Sequence, residues 1–346
     1  MSFSSKLIQW YHLQKRDLPW RNTTNPYPIW LSEIMLQQTR VAQGLPYYEA
    51  FMNHFPTIFH LANASEEQVL KLWQGLGYYS RARNLHQTAQ TIAFEKNGIF
   101  PDNYKDLLKL KGIGSYTAAA IASFSYNEYV PVVDGNVFRV LARYFDISND
   151  IALIQTKSVF SNLALELMPK EHPALFNQAI MEFGALQCVP KNPDCNSCIF
   201  SDSCLALQKK KVAQLPVKIK KIKVKNRFLN YFILQDEKAN SIVQKRIAKD
   251  IWQNLYEFPL LESLHFDDDT IVLQYLNDHY NVKSLKKLQN EPIIHKLTHQ
   301  KLHLQFWKVQ IEGQLNEGKT FDHIRTYPFP IVIHHFLETF SNFEEL

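Results

Sequence analysis

Four thiols crowd into one short stretch, Cys188-x6-Cys195-x2-Cys198-x5-Cys204, and the chain has no other cysteine. A disulfide framework spreads its cysteines over a small secreted domain, whereas four closely spaced thiolates form a ligand set. They can bind zinc tetrahedrally or hold a [4Fe–4S] cluster, and spacing alone leaves both open. A second element with chemistry is Gly112-Ile113-Gly114. Two glycines one residue apart, opening a helix, let backbone N–H groups face a phosphate. A third is charge: Leu205 to Arg227 holds nine Lys or Arg and no Asp or Glu, in a chain of net charge only +5. Concentrated positive charge suits a phosphate backbone, because each neutralised phosphate releases counterions. Taken alone, the same run also reads as a solvated linker. Finally, Glu33 interrupts an otherwise apolar helical face beside Ile34, Met35 and Leu36. Composition by itself makes it an exposed or ion-paired glutamate.

These residues need scaffolding, and 346 residues are long for one core and comfortable for two domains. With 46% hydrophobic and 21% charged residues the balance is that of a globular chain. Residues 1–205 read as mostly helical, with apolar periodicity in Ile29–Val41, Val69–Leu76, Tyr116–Phe124 and Val159–Met168. Eight of the ten glycines lie there, so its backbone makes several tight turns. Residues 206–226 form a basic linker. From 227 to 346 an α+β domain is expected. Arg227–Gln235, Lys301–Ile311 and Tyr327–Ile333 favour strands, and Thr270–His279 and Ile331–Thr339 favour helices. No apolar run approaches the roughly 20 residues of a membrane span, and Met1–Trp20 lacks the apolar stretch of a signal peptide. A cytoplasmic, monomeric protein without a membrane partner is the expectation.

The stretch Trp30-Leu31-Ser32-Glu33-Ile34-Met35-Leu36-Gln37-Gln38-Thr39-Arg40-Val41 closely resembles the active-site helix of the MutY family of adenine DNA glycosylases. So do Leu18-Pro19-Trp20-Arg21 upstream and Gly75-Leu76-Gly77-Tyr78-Tyr79-Ser80-Arg81-Ala82-Arg83-Asn84 downstream. Leu110–Ala118 is similar to the hairpin of helix-hairpin-helix proteins, with Lys111 where a proline is usual. Asp134, in Val132-Val133-Asp134-Gly135-Asn136-Val137, follows Gly114 by twenty residues, as in the endonuclease III and MutY superfamily. The cysteine pattern resembles that superfamily's [4Fe–4S] site.

The resemblance implies a mostly α helix-hairpin-helix glycosylase domain with a [4Fe–4S] module, acting in base excision repair. Its substrate would be duplex DNA carrying adenine opposite 8-oxoguanine, and opposite guanine as well. It assigns Glu33 to protonation of the leaving adenine and Asp134 to stabilisation of the cationic sugar, with Asn136 orienting groups nearby. That pairing makes chemical sense. Adenine leaves poorly as an anion, a carboxyl in an apolar pocket can keep its proton near neutral pH, and an ionised one can stabilise a cation. Arg21 and Gln178 fall at adenine-pocket positions. Gln38, Thr39, Leu76, Tyr78, Gly112 and Gly114 fall at DNA contacts, Gln38 and Tyr78 as wedges in the duplex. Tyr116 stands where related enzymes that also cut the backbone carry a nucleophilic lysine. A phenol cannot form the imine, so a monofunctional glycosylase follows.

In the second domain Asp250–Pro259 resembles the opening of the MutT-like (Nudix-type) domain of MutY proteins. Ile294-His295-Lys296-Leu297-Thr298-His299 resembles its lesion-sensing loop. Thr298 and His299 keep a hydroxyl and an imidazole for 8-oxoguanine, while Leu297 replaces an aromatic residue. A Nudix hydrolase needs a glutamate six residues beyond a glycine; the only glycines past residue 184 are Gly313 and Gly318, followed at that distance by Lys319 and Ile324. A reader rather than a hydrolase is expected. Two other readings are an endonuclease III-like lyase for oxidised pyrimidines and a non-catalytic lesion binder. Tyr116 argues against the first, and the presence of both Glu33 and Asp134 against the second.

Overall fold

The computed structural model describes residues 2–219, 223–266 and 268–339. Lys220 and Lys221 of the basic run therefore lie outside the described residues. Tertiary contacts group the chain into two compact units. One comprises Met1–Asn63 and Asn84–Lys220; the other comprises Ala64–Arg83 and Lys221–Leu346. The short segment Ala64–Arg83 thus packs with the C-terminal residues, whereas the sequence reading placed it in a continuous 1–205 domain.

The first unit is helical. Its core forms where the helices Phe3–Gln14, Gly135–Tyr144, Ile154–Leu167 and Pro173–Leu186 bury one face each around Leu7, Leu141, Phe160, Phe176 and Phe183. Each such side chain removed from water contributes about 1.5–3 kcal/mol, which makes this cluster the chief stabiliser of the unit. Cys188, Cys198 and Cys204 pack against the same cluster, so the thiol loop is part of the core rather than an appendage. A second packing layer sets the helix Pro26–Met35 against Ser115–Tyr126, whose Ala118, Ala119 and Ala120 permit close approach.

The expected helix Ile29–Val41 is in fact two helices, Pro26–Met35 and Val41–His54. The chain turns between them: Thr39 N–H bonds Leu36 O at 3.1 Å, and Gln38 takes a left-handed conformation with φ of 58°. The other expected helices of this unit appear as Ser115–Tyr126 and Ile154–Leu167. Helix Ser115–Tyr126 begins at Gly114, preceded by Gly112 with φ of +74°. A Cβ on Gly112 would stand 2.7 Å from the Asn84 Cβ, so this position needs glycine for both conformation and space.

The second unit is α+β. Its strands are β1 (Lys225–Gln235), β2 (Gln244–Lys245), β3 (Tyr256–Glu257), β4 (Leu260–Ser263), β5 (Val282–Lys287), β6 (Ile293–Lys296) and β7 (Gln300–Ile311). The main sheet runs β4-β1-β7-β5, with β6 also on β7, and the long central pair β1–β7 is parallel. One face is covered by helix Asp269–Asn277, packing Val272 and Leu276 on Phe232, Trp307 and Val309. On β7's other face Phe306 stacks on Phe336 of helix Ile331–Thr339, ring centroids 3.7 Å apart. The strand expected at Tyr327–Ile333 is absent. Pro328 and Pro330 remove the N–H groups a ladder would use, and the helix starts at Ile331. The expected Val69–Leu76 helix is Glu66–Leu72, closed at its N-terminus by a Ser65–Gln68 capping box.

Gly112→Ala should lower stability by roughly 1–2 kcal/mol, the cost of forcing a Cβ into the left-handed region. Gly114→Ala, where a Cβ meets open space at an ordinary φ, should cost much less. Thermal unfolding of the two variants checks the difference, and equal losses would contradict it.

Candidate functional site

Helix Pro26–Met35 is capped by Asn25, whose side chain accepts the Tyr27 N–H at 3.0 Å, and Pro26 sits at its first turn. Every residue from Tyr27 to Met35 is buried, so Glu33 has no route to bulk water except through the site. Glu33 Oε2 accepts a hydrogen bond from the Tyr116 hydroxyl at 2.8 Å. Burial pushes its carboxyl up to about 7, against the Tyr116 bond, while the neighbouring Asp134 pushes the same way and Arg21 pulls it down. Tyr116 itself is held well above its ordinary value, first by burial and then by Glu33, so its phenol stays protonated.

Asp134 caps the helix Gly135–Tyr144. Its Oδ1 accepts the N–H groups of Asn136 and Val137 at 2.9 and 2.8 Å, and its Oδ2 accepts the Asn136 side-chain amide at 2.6 Å. Burial raises its pKa, while these bonds and Arg139 draw it down. The two carboxyls are therefore unequal in their partners. Glu33 has one hydroxyl donor; Asp134 has three donors and the positive end of a helix.

Both groups line a cavity of about 690 Å³ together with Arg16, Arg21, Thr39, Tyr116, Asn136, Arg139, Gln178 and Glu182. Sequence reasoning missed several of these. Glu182 is held in two-pronged fashion by both arginines: Arg21 donates at 2.8 and 2.6 Å, and Arg16 at 2.8 and 2.6 Å. Burial pushes Glu182 up, but these bonds outweigh it and keep the carboxylate at about 2. Gln178 Oε1 accepts the Tyr11 hydroxyl at 2.6 Å, which points its amide in a defined direction. The Gln178–Glu182 spacing of one helical turn was the available signal. Gly184 was also missed: a Cβ there would lie 2.6 Å from Asn136 Cβ, so helix Pro173–Leu186 can approach Asn136 only through glycine.

Arg139 and Arg143, one turn apart on the helix that Asp134 caps, grip the thiol loop. Arg139 donates to Asn136 Oδ1 at 2.8 Å, to Gly184 O at 2.6 Å and to Cys188 O at 2.7 Å. Arg143 donates to Cys188 Sγ at 3.4 Å and to Val189 O at 2.8 Å. Cys188, Cys195, Cys198 and Cys204 are free of disulfides and border one small cavity of about 30 Å³. Phe200 N–H points at Cys198 Sγ, 3.4 Å away. Among the described residues, no group of three or more His, Cys, Asp or Glu is arranged to hold a metal ion. Four thiols around a void, with a guanidinium and an amide donating to sulfur, suit a multi-atom anionic group held at its corners.

The remaining expected residues are placed as follows. Gln38 is exposed, and Thr39 lines the cavity. Gly112 and Gly114 form the hairpin already described. In the second unit Tyr78 is 44% exposed with φ of 49°, and its hydroxyl lies 2.7 Å from Thr298 Oγ1. Thr298 and His299 are exposed in the turn joining β6 to β7. Leu76 is buried. No helix among the described residues is long and apolar enough to cross a membrane.

A helical unit with a hairpin, a buried carboxyl pair and a thiol loop, followed by an α+β unit, defines a class. Residues 31–170 match the model of the HhH-GPD superfamily base excision DNA repair proteins, and residues 230–339 match the NUDIX domain. A solved thermostable thymine-DNA glycosylase has a TM-score of 0.55 and 29% identity, covering 60% of this chain and 95% of its own. The adenine DNA glycosylase of Buchnera aphidicola subsp. Schizaphis graminum is 38% identical over 308 residues, 87% of this chain and 86% of that protein. The Homo sapiens adenine DNA glycosylase is 42% identical over 223 residues, 62% of this chain and 41% of that protein. The chain belongs to the adenine DNA glycosylases, enzymes of base excision repair that hydrolyse an N-glycosidic bond.

The Glu33 carboxyl should titrate near pH 7 by carboxyl-carbon NMR. Tyr116→Phe removes the hydroxyl that favours the ionised form, so the midpoint should move up; a downward shift would contradict the assigned hydrogen bond.

Proposed function

We propose that the enzyme releases adenine paired with 8-oxoguanine, and with guanine, from duplex DNA, as a monofunctional glycosylase working as a monomer in the cytoplasm. The observation that carries this reading is the buried Glu33, raised to about 7 beside Asp134 in a cavity of about 690 Å³. Such a volume accommodates a base turned out of the stack, a step that costs roughly a few kcal/mol and less at a mismatch. Arg21 and Gln178 line the same cavity and are the proposed adenine contacts.

In the proposed mechanism Glu33 donates its proton to the departing adenine as the bond to the sugar breaks. Asp134, ionised and held by Asn136 and the helix N-terminus, faces the positive charge that develops on the sugar. Water then adds at the sugar carbon and gives up a proton to a pocket carboxylate. Tyr116 is engaged as donor to Glu33 and offers no amine, which supports base release without strand cleavage.

Cys188, Cys195, Cys198 and Cys204 would hold a [4Fe–4S] cluster, supported by the cavity between them and by the donors on their sulfurs. Such a cluster would supply a cross-link of the loop and a redox centre. Functionally we divide the chain into a glycosylase domain (1–205), a basic linker (206–226) and a lesion reader (227–346). Gln38, Thr39, Tyr78, Gly112 and Gly114 are assigned to DNA, and Thr298 and His299 to the lesion.

Single-turnover release of adenine from an 8-oxoguanine·adenine duplex tests the reading. Wild type should free the base, with a rate that falls as pH rises through about 7, because the protonated Glu33 is the active form. Glu33→Gln should lose at least roughly 10²-fold, the scale of general acid catalysis. A wild type that frees no adenine, or an equally active variant, would sink the mechanism. Borohydride should trap no covalent adduct with DNA.

A further inference from the structure

Among the described residues that line the cavity, one carboxylate, Glu182, has no assigned step. It stands on helix Pro173–Leu186 with its side chain 1% exposed. Its Oε1 accepts the Arg16 backbone N–H at 2.9 Å, Arg16 Nε at 2.8 Å and Arg21 Nη1 at 2.8 Å. Its Oε2 accepts the Nη2 groups of Arg16 and Arg21, each at 2.6 Å. Arg21 Nη1 also donates to Arg16 O at 3.1 Å, and its guanidinium lies 5.8 Å from the Tyr11 ring. Two guanidiniums and a backbone amide are thus gathered on one buried carboxylate from more than 160 positions away in sequence.

The segment held in this way needs an outside support. Between Arg16 and Arg21 its only regular structure is the 3₁₀ turn Pro19–Arg21, too short to fix its own position. Yet Arg16, Leu18, Trp20 and Arg21 all line the cavity. Glu182 bonds both ends of this piece of wall and so sets where its side chains stand.

Charge gives the same contact a second consequence. Helix Ser115–Tyr126 turns Tyr116 toward Glu33, and the cap of helix Gly135–Tyr144 contributes Asp134 and Arg139 to the cavity. Arg40, at the start of helix Val41–His54, lines it as an exposed residue. Arg16 and Arg21 complete the cations. Each guanidinium favours an ionised carboxyl and so opposes a proton on Glu33. Arg21 does pull Glu33 down, whereas Glu182 stays ionised between the two arginines. A pocket that offers N–H donors to a base while keeping an acid protonated needs a counter-charge on the donors.

We propose that Glu182 is a positioning residue of the site: by binding Arg16 and Arg21 together it fixes the cavity wall at residues 16–21 and neutralises that wall beside Glu33. This inference rests on the reading of Glu33 as the acid that protonates adenine. Glu182 itself touches neither the base nor the sugar; it acts through the two arginines and, through their charge, on the proton of Glu33.

The test reads the Glu33 carboxyl directly, by carboxyl-carbon NMR titration of the full chain, with the pH profile of single-turnover adenine release and the melting temperature measured alongside. Glu182→Gln keeps the shape and removes the charge, so the Glu33 midpoint should fall by roughly one pH unit, the scale of an unscreened cation beside a carboxyl. Glu182→Asp keeps the charge and should hold the midpoint close to wild type, even where shortening the side chain lowers the melting temperature. Removing a partner of a buried ion pair can unfold a protein, so a second route runs through Arg21. Arg21→Met should raise the midpoint, and adding Glu182→Gln to it should bring the midpoint back down. A folded Glu182→Gln protein with an unchanged or raised midpoint overturns the inference. So does a double variant that titrates like Arg21→Met alone, or a Glu182→Asp midpoint that falls as far as that of Glu182→Gln. If the midpoint shifts as expected while the pH profile of adenine release stays in place, the role of Glu182 stands and the assignment of Glu33 as the acid fails instead.

Discussion

The capping of helix Gly135–Tyr144 by Asp134 is the interaction on which the first unit turns. One carboxylate satisfies two of the helix's free N–H groups and takes the side-chain amide of Asn136. A capping aspartate ordinarily stabilises its helix by about 1 kcal/mol, and here the same geometry fixes a carboxyl at the wall of a cavity. The helix then transmits that placement. Arg139 and Arg143 extend from its next turns to the carbonyls and sulfur of the Cys188 loop, so cap, helix and loop are tied together. Gly184 completes the arrangement by letting a second helix approach Asn136. A site that depends on the position of one carboxylate is thus braced from three directions.

The same cap gives two neighbouring carboxyls unequal surroundings. Both are desolvated, and desolvation alone would keep both neutral. The difference comes from the donors. Asp134 sits where a helix N-terminus supplies N–H groups, and Glu33 sits inside a helix whose own N–H groups are already used. Position along a helix, cap against interior, therefore sets how many donors each carboxyl meets. The bond from Tyr116 tempers Glu33 and keeps its value near neutrality instead of far above it. Glu182 shows the opposite solution: as buried as Glu33, it stays ionised because two guanidiniums share it.

Much of this was legible in the sequence where it is local. Apolar periodicity located the helices Ser115–Tyr126 and Ile154–Leu167, and β-branched and aromatic runs located β1 and β7. Cysteine spacing identified four thiols that indeed border one cavity. What local pattern could not carry was pairing over distance. Arg16 and Glu182 are 166 residues apart, and nothing near either one announces the other. The break at Leu36–Thr39 escaped because apolar residues continue at helical spacing through it, and only the left-handed Gln38 marks the turn. Tyr327–Ile333 misled in the reverse sense: its aromatic and β-branched residues favour a strand, but two prolines deny it the ladder. The grouping of Ala64–Arg83 with the C-terminal residues was likewise invisible. It depends on Lys71, Gln74 and Arg83 meeting backbone far away in sequence.

Backbone strain ties these points together. Gln38 and Tyr78 both occupy the left-handed region without being glycine, a conformation that costs of order 1 kcal/mol or more and persists only where surroundings over-determine it. At Tyr78 the surroundings are identifiable: Arg81 below the turn, Thr298 at the hydroxyl, and the docked segment on either side. At Gln38 they are the ends of two helices that must be joined within a few residues, one of which carries Glu33. In each case the left-handed residue presents an exposed side chain at a turn. Relaxing either turn would therefore stabilise the local chain while displacing the group it presents. A fold selected for stability alone would place glycine or asparagine at such positions.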